Sequence, residues 1–194
     1  MLRRIAAAAL AMSLAGPPVF AQAPAHPAVV FANAACLNSA GDADRLARIA
    51  ADSGWVPLAP AEVQALRSGA VEPRSAVGYR SNMGLVYMAA HSHFTLCSVH
   101  VRADAATTRA GLELWSIDGE ALGPADLVQP SITNRLVTAW RNHFWGVARG
   151  GVDAVNLNSD PNGSDLIIEL SFPAAGTPSH PARPSMPRPG LNTA

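Results

Sequence analysis

Phe94-Thr-Leu-Cys-Ser-Val-His-Val-Arg102 is the stretch on which the fold turns. In an extended chain Cys97, Val99 and Val101 share one face, and Phe94 and Leu96 share the other. A strand that is apolar on both faces at its start belongs in the middle of a sheet. That places Cys97 in the interior, where it can be tied to the segment carrying Cys36.

Working outward, residues 76–80 and 85–90 read as strands flanking a hairpin turn, Ser81-Asn-Met-Gly84. Residues 112–117 read as another strand, closed by a turn at Asp118-Gly119. The last two strands are expected over 152–157 and 166–172, around the turn-forming run Asn158-Ser-Asp-Pro-Asn-Gly-Ser-Asp165. Leu166, Ile168, Leu170 and Phe172 alternate with Ile167, Glu169 and Ser171, the pattern of a half-buried antiparallel strand.

Three helices are expected. Residues 41–53 have Asp42 and Asp44 in the first turn, an apolar stripe of Leu46, Ile49 and Ala50, and Gly54 as the stop. Pro60 opens a shorter helix ending at Gly69, with Val63 and Leu66 inward. Pro130 opens the longest, lined by Ile132, Leu136, Val137, Trp140 and Phe144 and ended by Gly146. Residues 24–27 read as an extended lead-in. The fold expected is α+β, a single domain over residues 22–172. Its antiparallel sheet has about five or six strands, with about two or three helices packed on one face. Residues 173–194, with six prolines and no acid, read as a Pro-rich disordered tail.

The compartment follows from the first residues. Arg3 and Arg4 precede an apolar run over 5–15, which Gly16, Pro17 and Pro18 break. Residues 1–21 thus read as a secretory signal peptide cleaved after Ala21, with Ala23 as the second option. The run is about half the length a membrane span needs. Only Met1 and Leu2 precede the arginine pair, which favours the general secretory route over a twin-arginine one. Cys36 lies too far from the apolar run for a lipoprotein. The expectation is a periplasmic or secreted protein with no membrane span after cleavage.

In an oxidising compartment, Cys36 and Cys97, the only cysteines, most simply form one disulfide. On the chain-entropy account its loop of about 61 residues is worth about 4 kcal/mol.

Charged residues make up 14% of the chain, and the 14 basic residues are all arginine. Loss of Arg3 and Arg4 with the signal leaves acids in slight excess. No basic patch suited to neutralising phosphates is present, so nucleic acid is not an expected partner.

Asn158, Asp160, Asn162, Gly163 and Glu169 occupy positions of an EF-hand calcium loop. The first position lacks its charge, Pro161 stiffens the loop, and strands flank it where helices are needed, so a hairpin turn is expected. His91 and His93 could share a strand face, with His100 beyond, but no carboxylate lies between residues 73 and 103 to complete a metal site. Cys36 before a helix and His91 later on a strand are similar in order to papain-like cell-wall peptidases. The surroundings Ala34-Ala35-Cys36-Leu37-Asn38 lack that family's nucleophile motif, and a disulfide consumes the thiol. No G-x-S-x-G, Walker or G-x-G-x-x-G motif occurs. Glu113, Asp118 and Glu120 sit beside turns as solvated carboxylates, and Trp140 falls on a core stripe. Trp55, Trp115 and Trp145 complete the set of tryptophans from which a stacking platform could be built.

The order of signal peptide, Ala-Cys36-Leu, capped helix, Gly54-Trp55 and a second cysteine in a strand resembles the small exported proteins of uncharacterised function found in proteobacteria. The resemblance implies a periplasmic home. The functional expectation is a non-enzymatic protein that binds or scaffolds an envelope protein or small ligand, without cofactor. The alternative is a thiol- or metal-dependent hydrolase.

Overall fold

The computed structural model describes residues 25–67, 71–131, 134–141 and 151–174. The expected signal peptide, all of the tail beyond Ala174, and Gly69, Ile132, Phe144, Trp145 and Gly146 lie outside the described residues.

The chain opens with helix α1 (Pro27–Ala32), which continues into a π-helical turn over Asn33–Leu37. Pro27 sits at the first turn, where its missing N–H costs nothing. Ser39 donates from its hydroxyl to the Cys36 carbonyl at 2.9 Å, satisfying an acceptor at the end of this segment. Helix α2 (Ala43–Asp52) follows, capped by Asp42, whose carboxylate accepts the Arg45 N–H at 2.9 Å. Then come β1 (Val56–Pro57), α3 (Pro60–Ala65), β2 (Ser75–Arg80), β3 (Leu85–Ala90) and β4 (Phe94–Arg102). The second half holds α4 (Ala105–Glu113), the short hairpin β5 (Ser116–Ile117) and β6 (Glu120–Ala121), then β7 (Leu127–Pro130), β8 (Leu136–Arg141), β9 (Ala154–Ser159) and β10 (Asp165–Pro173).

One antiparallel sheet runs in the order β1-β2-β3-β4-β10-β9-β8-β7. Its 8 strands exceed the five or six expected. β4 is central, as its two apolar faces require, and it pairs with β10 over nine residues, from Asp165 opposite Arg102 to Pro173 opposite Phe94. The β5–β6 hairpin forms around Asp118-Gly119 as a separate pair.

Against one sheet face lie α1, the π-helical turn, α2 and α4. Their core joins Phe31, Ala35 and Leu46 to Met88, Val99, Ile168 and Leu170, all nearly solvent-free. The Cys36–Cys97 disulfide crosses this interface with its Cα atoms 5.5 Å apart. Gly111 of α4 lets α1 approach, because a Cβ there would lie 2.6 Å from the His26 Cβ. Helix α3 lies on the opposite face: a Cβ at Gly78 would meet Leu58 at 2.9 Å and Val63 at 3.3 Å. Helices therefore cover both faces, not one.

Three expectations on secondary structure are corrected. Residues 112–117 are not one strand. Leu112 and Glu113 form the end of α4, which Asp104 caps by accepting the Thr107 N–H at 2.8 Å, and only Ser116–Ile117 pair. The long helix from Pro130 is absent among the described residues, where β7 and β8 run instead. Leu136 and Trp140 are four apart, a spacing that suits one helix face and one strand face equally. Asn134 at φ 57 breaks any helix before them. Finally, Pro27 begins a helix rather than closing an extended lead-in.

Candidate functional site: an arginine-lined cleft

Antiparallel pairing gathers at one end of the sheet the end of β2, the start of β3, the end of β4, the start of β10 and the chain entering β8. A cleft of about 630 Å³ opens there. Its walls combine Arg80, Arg102 and Arg135 with His100, Asp165 and the apolar Leu85, Val101 and Ile167. Ser81, Asn82, Met83 and Gly84 form one rim, the tight β2–β3 turn expected from the sequence. Ser81 holds this turn through its N–H to the Gly84 carbonyl at 2.9 Å, while its hydroxyl accepts the Met83 N–H at 3.0 Å.

Each arginine is held differently. Arg80 pairs with Glu62 of α3 at 2.6 Å, both partly exposed. Arg102 lies 3.4 Å from Asp165 across the β4–β10 ladder, its side chain almost wholly in solvent. Arg135 reaches two backbone carbonyls, donating to Asp165 at 2.7 Å and to Asn158 at 3.2 Å. Its Nε is buried and has no hydrogen-bond partner among the described residues. His100 is largely buried between Leu85 and Ile167, and its Nε2 is 3.2 Å from the Ser98 hydroxyl. Burial first, and then the Arg135 charge, depress the His100 pKa to about 4, so the ring is neutral at pH 7. A serine–histidine contact is one element of hydrolytic sites. Here the serine is 2% exposed and the imidazole is too weak a base at neutral pH.

The sequence-predicted candidates fall elsewhere. Cys36 and Cys97 are disulfide-bonded and fully buried, so neither offers a thiolate. His91 and His93 lie in the β3–β4 turn, not on a strand, and the His91 ring stacks on Phe94 with centroids 4.5 Å apart. His100 is at the far end of β4, six residues beyond Phe94 and roughly 20 Å away at about 3.3 Å per residue. Among the described residues no group of three or more His, Cys, Asp or Glu side chains is placed to hold a metal.

The EF-hand-like residues form the β9–β10 hairpin. The Asp160 carboxylate accepts the N–H groups of Ser164 (2.7 Å), Asp165 (2.8 Å) and Asn162 (3.3 Å), and these bonds hold its pKa below the usual carboxylate range. Asn158 and Glu169, the first and twelfth positions, bond to each other at 2.8 Å. Glu113 pairs with Arg109 at 3.0 Å. The tryptophans do not form a platform among the described residues. Trp140 is core, Trp115 is buried and donates to Asn33, and Trp55 meets Phe31 edge-on.

Arg80, Arg102 and Arg135 were not singled out in the sequence. Two carried a signal, since Arg80 immediately precedes a hairpin turn and Arg102 ends the following strand, which brings them to the same end of the sheet. Arg135 did not, because its surroundings read as helix. No family model, no curated protein and no solved structure matches this chain.

Proposed function

We propose that the chain is an exported, non-enzymatic binding protein of the periplasm or extracellular space, and that the arginine-lined cleft is where it binds a small ligand. One observation carries the binding reading. The cleft has the volume of a small-molecule site, and it brings apolar walls together with a few convergent polar groups. Export is supported by the signal-like first residues and by the buried disulfide, which needs an oxidising compartment to persist. No helix of the described residues is long and apolar enough to cross a membrane. The hydrolase reading finds no such support, since its nucleophile is tied into the disulfide.

Two measurements test this. Fractionation of cells making the full chain is expected to place it outside the cytoplasm, with a new N-terminus at Gln22; an intact N-terminus on cytoplasmic protein overturns export. Screening of a fragment library against the isotope-labelled mature chain is expected to shift the amides of residues 80–85, 100–102 and 165–167. Binding that moves only other amides removes the cleft from consideration.

A further inference from the structure

Resting on the cleft reading, we infer that the ligand is a small organic monoanion, a carboxylate or phosphodiester with an apolar body. Its charged head would sit at Arg135 and Arg102, and its body against Leu85 and Ile167.

The charge count sets the sign and size of the head. Three guanidinium groups reach the cleft, and among the described residues the carboxylate in its wall is Asp165. Asp165 offsets Arg102, and Glu62 offsets Arg80 from outside. Arg135 is bonded to carbonyl oxygens that carry no formal charge, and Asp160, a carboxylate that feels its charge, stands outside the cleft. Within the wall guanidinium groups therefore outnumber carboxylates, which favours an anionic head, and Asp165 opposes a second negative charge. The field of Arg135 is felt inside the cleft, where it opposes protonation of His100. A neutral imidazole then adds a polar wall without adding charge.

Preorganisation supports the same reading. Two carbonyls from neighbouring strands pin the Arg135 head, so little side-chain freedom is lost when a ligand arrives. The cations are guanidinium groups, whose planar forks match the two oxygens of a carboxylate or phosphodiester. Leu85, Val101, Leu166 and Ile167 add hydrocarbon to the wall, which a bare inorganic ion would leave uncovered.

The test titrates the labelled mature chain with hexanoate, dibutyl phosphate, hexanamide and hexylammonium, reading amide shifts and Kd. Hexanoate and dibutyl phosphate are expected to move the amides of 80–85, 100–102 and 165–167, and to bind about ten-fold or more tighter than hexanamide. Arg135→Gln is expected to abolish that preference. Because Arg135 also ties strands together, Arg102→Glu serves as a second variant. Its exposed side chain leaves the fold intact, and reversing its charge is expected to weaken anion binding by about ten-fold. Equal binding of hexanamide and hexanoate in the cleft overturns the anion class and leaves the cleft reading standing. Shifts confined to other amides overturn both. Co-sedimentation with phosphatidylglycerol vesicles, without binding of free dibutyl phosphate, overturns the free-ligand form and assigns the head to a lipid.

Discussion

A Cβ atom at Gly84 would lie 2.1 Å from the carbonyl oxygen of His100. Backbone blocks it, so no rotamer change relieves the clash. Gly84→Ala must therefore spread β3 from β4 at the rim of the cleft. The expected loss is about 2 kcal/mol or more in urea unfolding, at the upper end of strained-backbone substitutions. Gly54→Ala, which meets nothing within 4 Å, is the control and is expected to cost about 1 kcal/mol for its positive φ of 68 alone.

The disulfide joins the turn after α1 to the central strand across the main core. Its loss in Cys36→Ala/Cys97→Ala is expected to lower stability by about 2–4 kcal/mol. Calorimetry of the oxidised protein, the reduced protein and the double variant checks this. The reduced and variant forms should melt at similar, lower temperatures.

His100 gives the protein a pH response of known sign. Its pKa falls from 6.5 in the unfolded chain to about 4 in the folded one. Between these values the unfolded chain binds a proton that the folded chain refuses, so stability falls as pH drops from about 6.5 to about 4. The loss is complete below that window and amounts to roughly 3 kcal/mol at most. His100→Gln is expected to flatten the slope between pH 6.5 and 4.5 in denaturant titrations. An unchanged slope would show that other groups set it.

Trp140 is 1% exposed, and its indole N–H donates to the Gly123 carbonyl at 2.9 Å. Trp140→Phe keeps an aromatic ring in the core and removes that donor. The expected cost is about 1–3 kcal/mol, because a half-buried carbonyl loses its partner and a small void opens in the core. Chemical denaturation followed by far-UV circular dichroism measures it.

Legibility in the sequence tracked how local the determining physics was. Strands β3, β4 and β10 and the capped helix α2 were readable because alternation or a cap, within ten residues, sets each of them. Helix α1 carries no such local signal. It is apolar around most of its circumference, so no 3.6-residue period marks it. Helix α4 was hidden by Thr107, Thr108 and Gly111, poor helix formers that capping and close packing nonetheless accommodate. The cysteine pair was legible because only one pairing existed. The cleft was not, since its three arginines stand far apart in sequence and meet only through the register of the sheet.

The strand order has a consequence for how the molecule is made. β10, the last strand among the described residues, is inserted between β4 and β9, in the middle of the sheet. Until residues 165–173 have been synthesised, β4 and β9 each present an open edge at the middle of the sheet. A nascent chain therefore cannot close its central ladder before this strand emerges, however early its cysteines do. The strand works as a keystone: it is made after both of the neighbours that it joins.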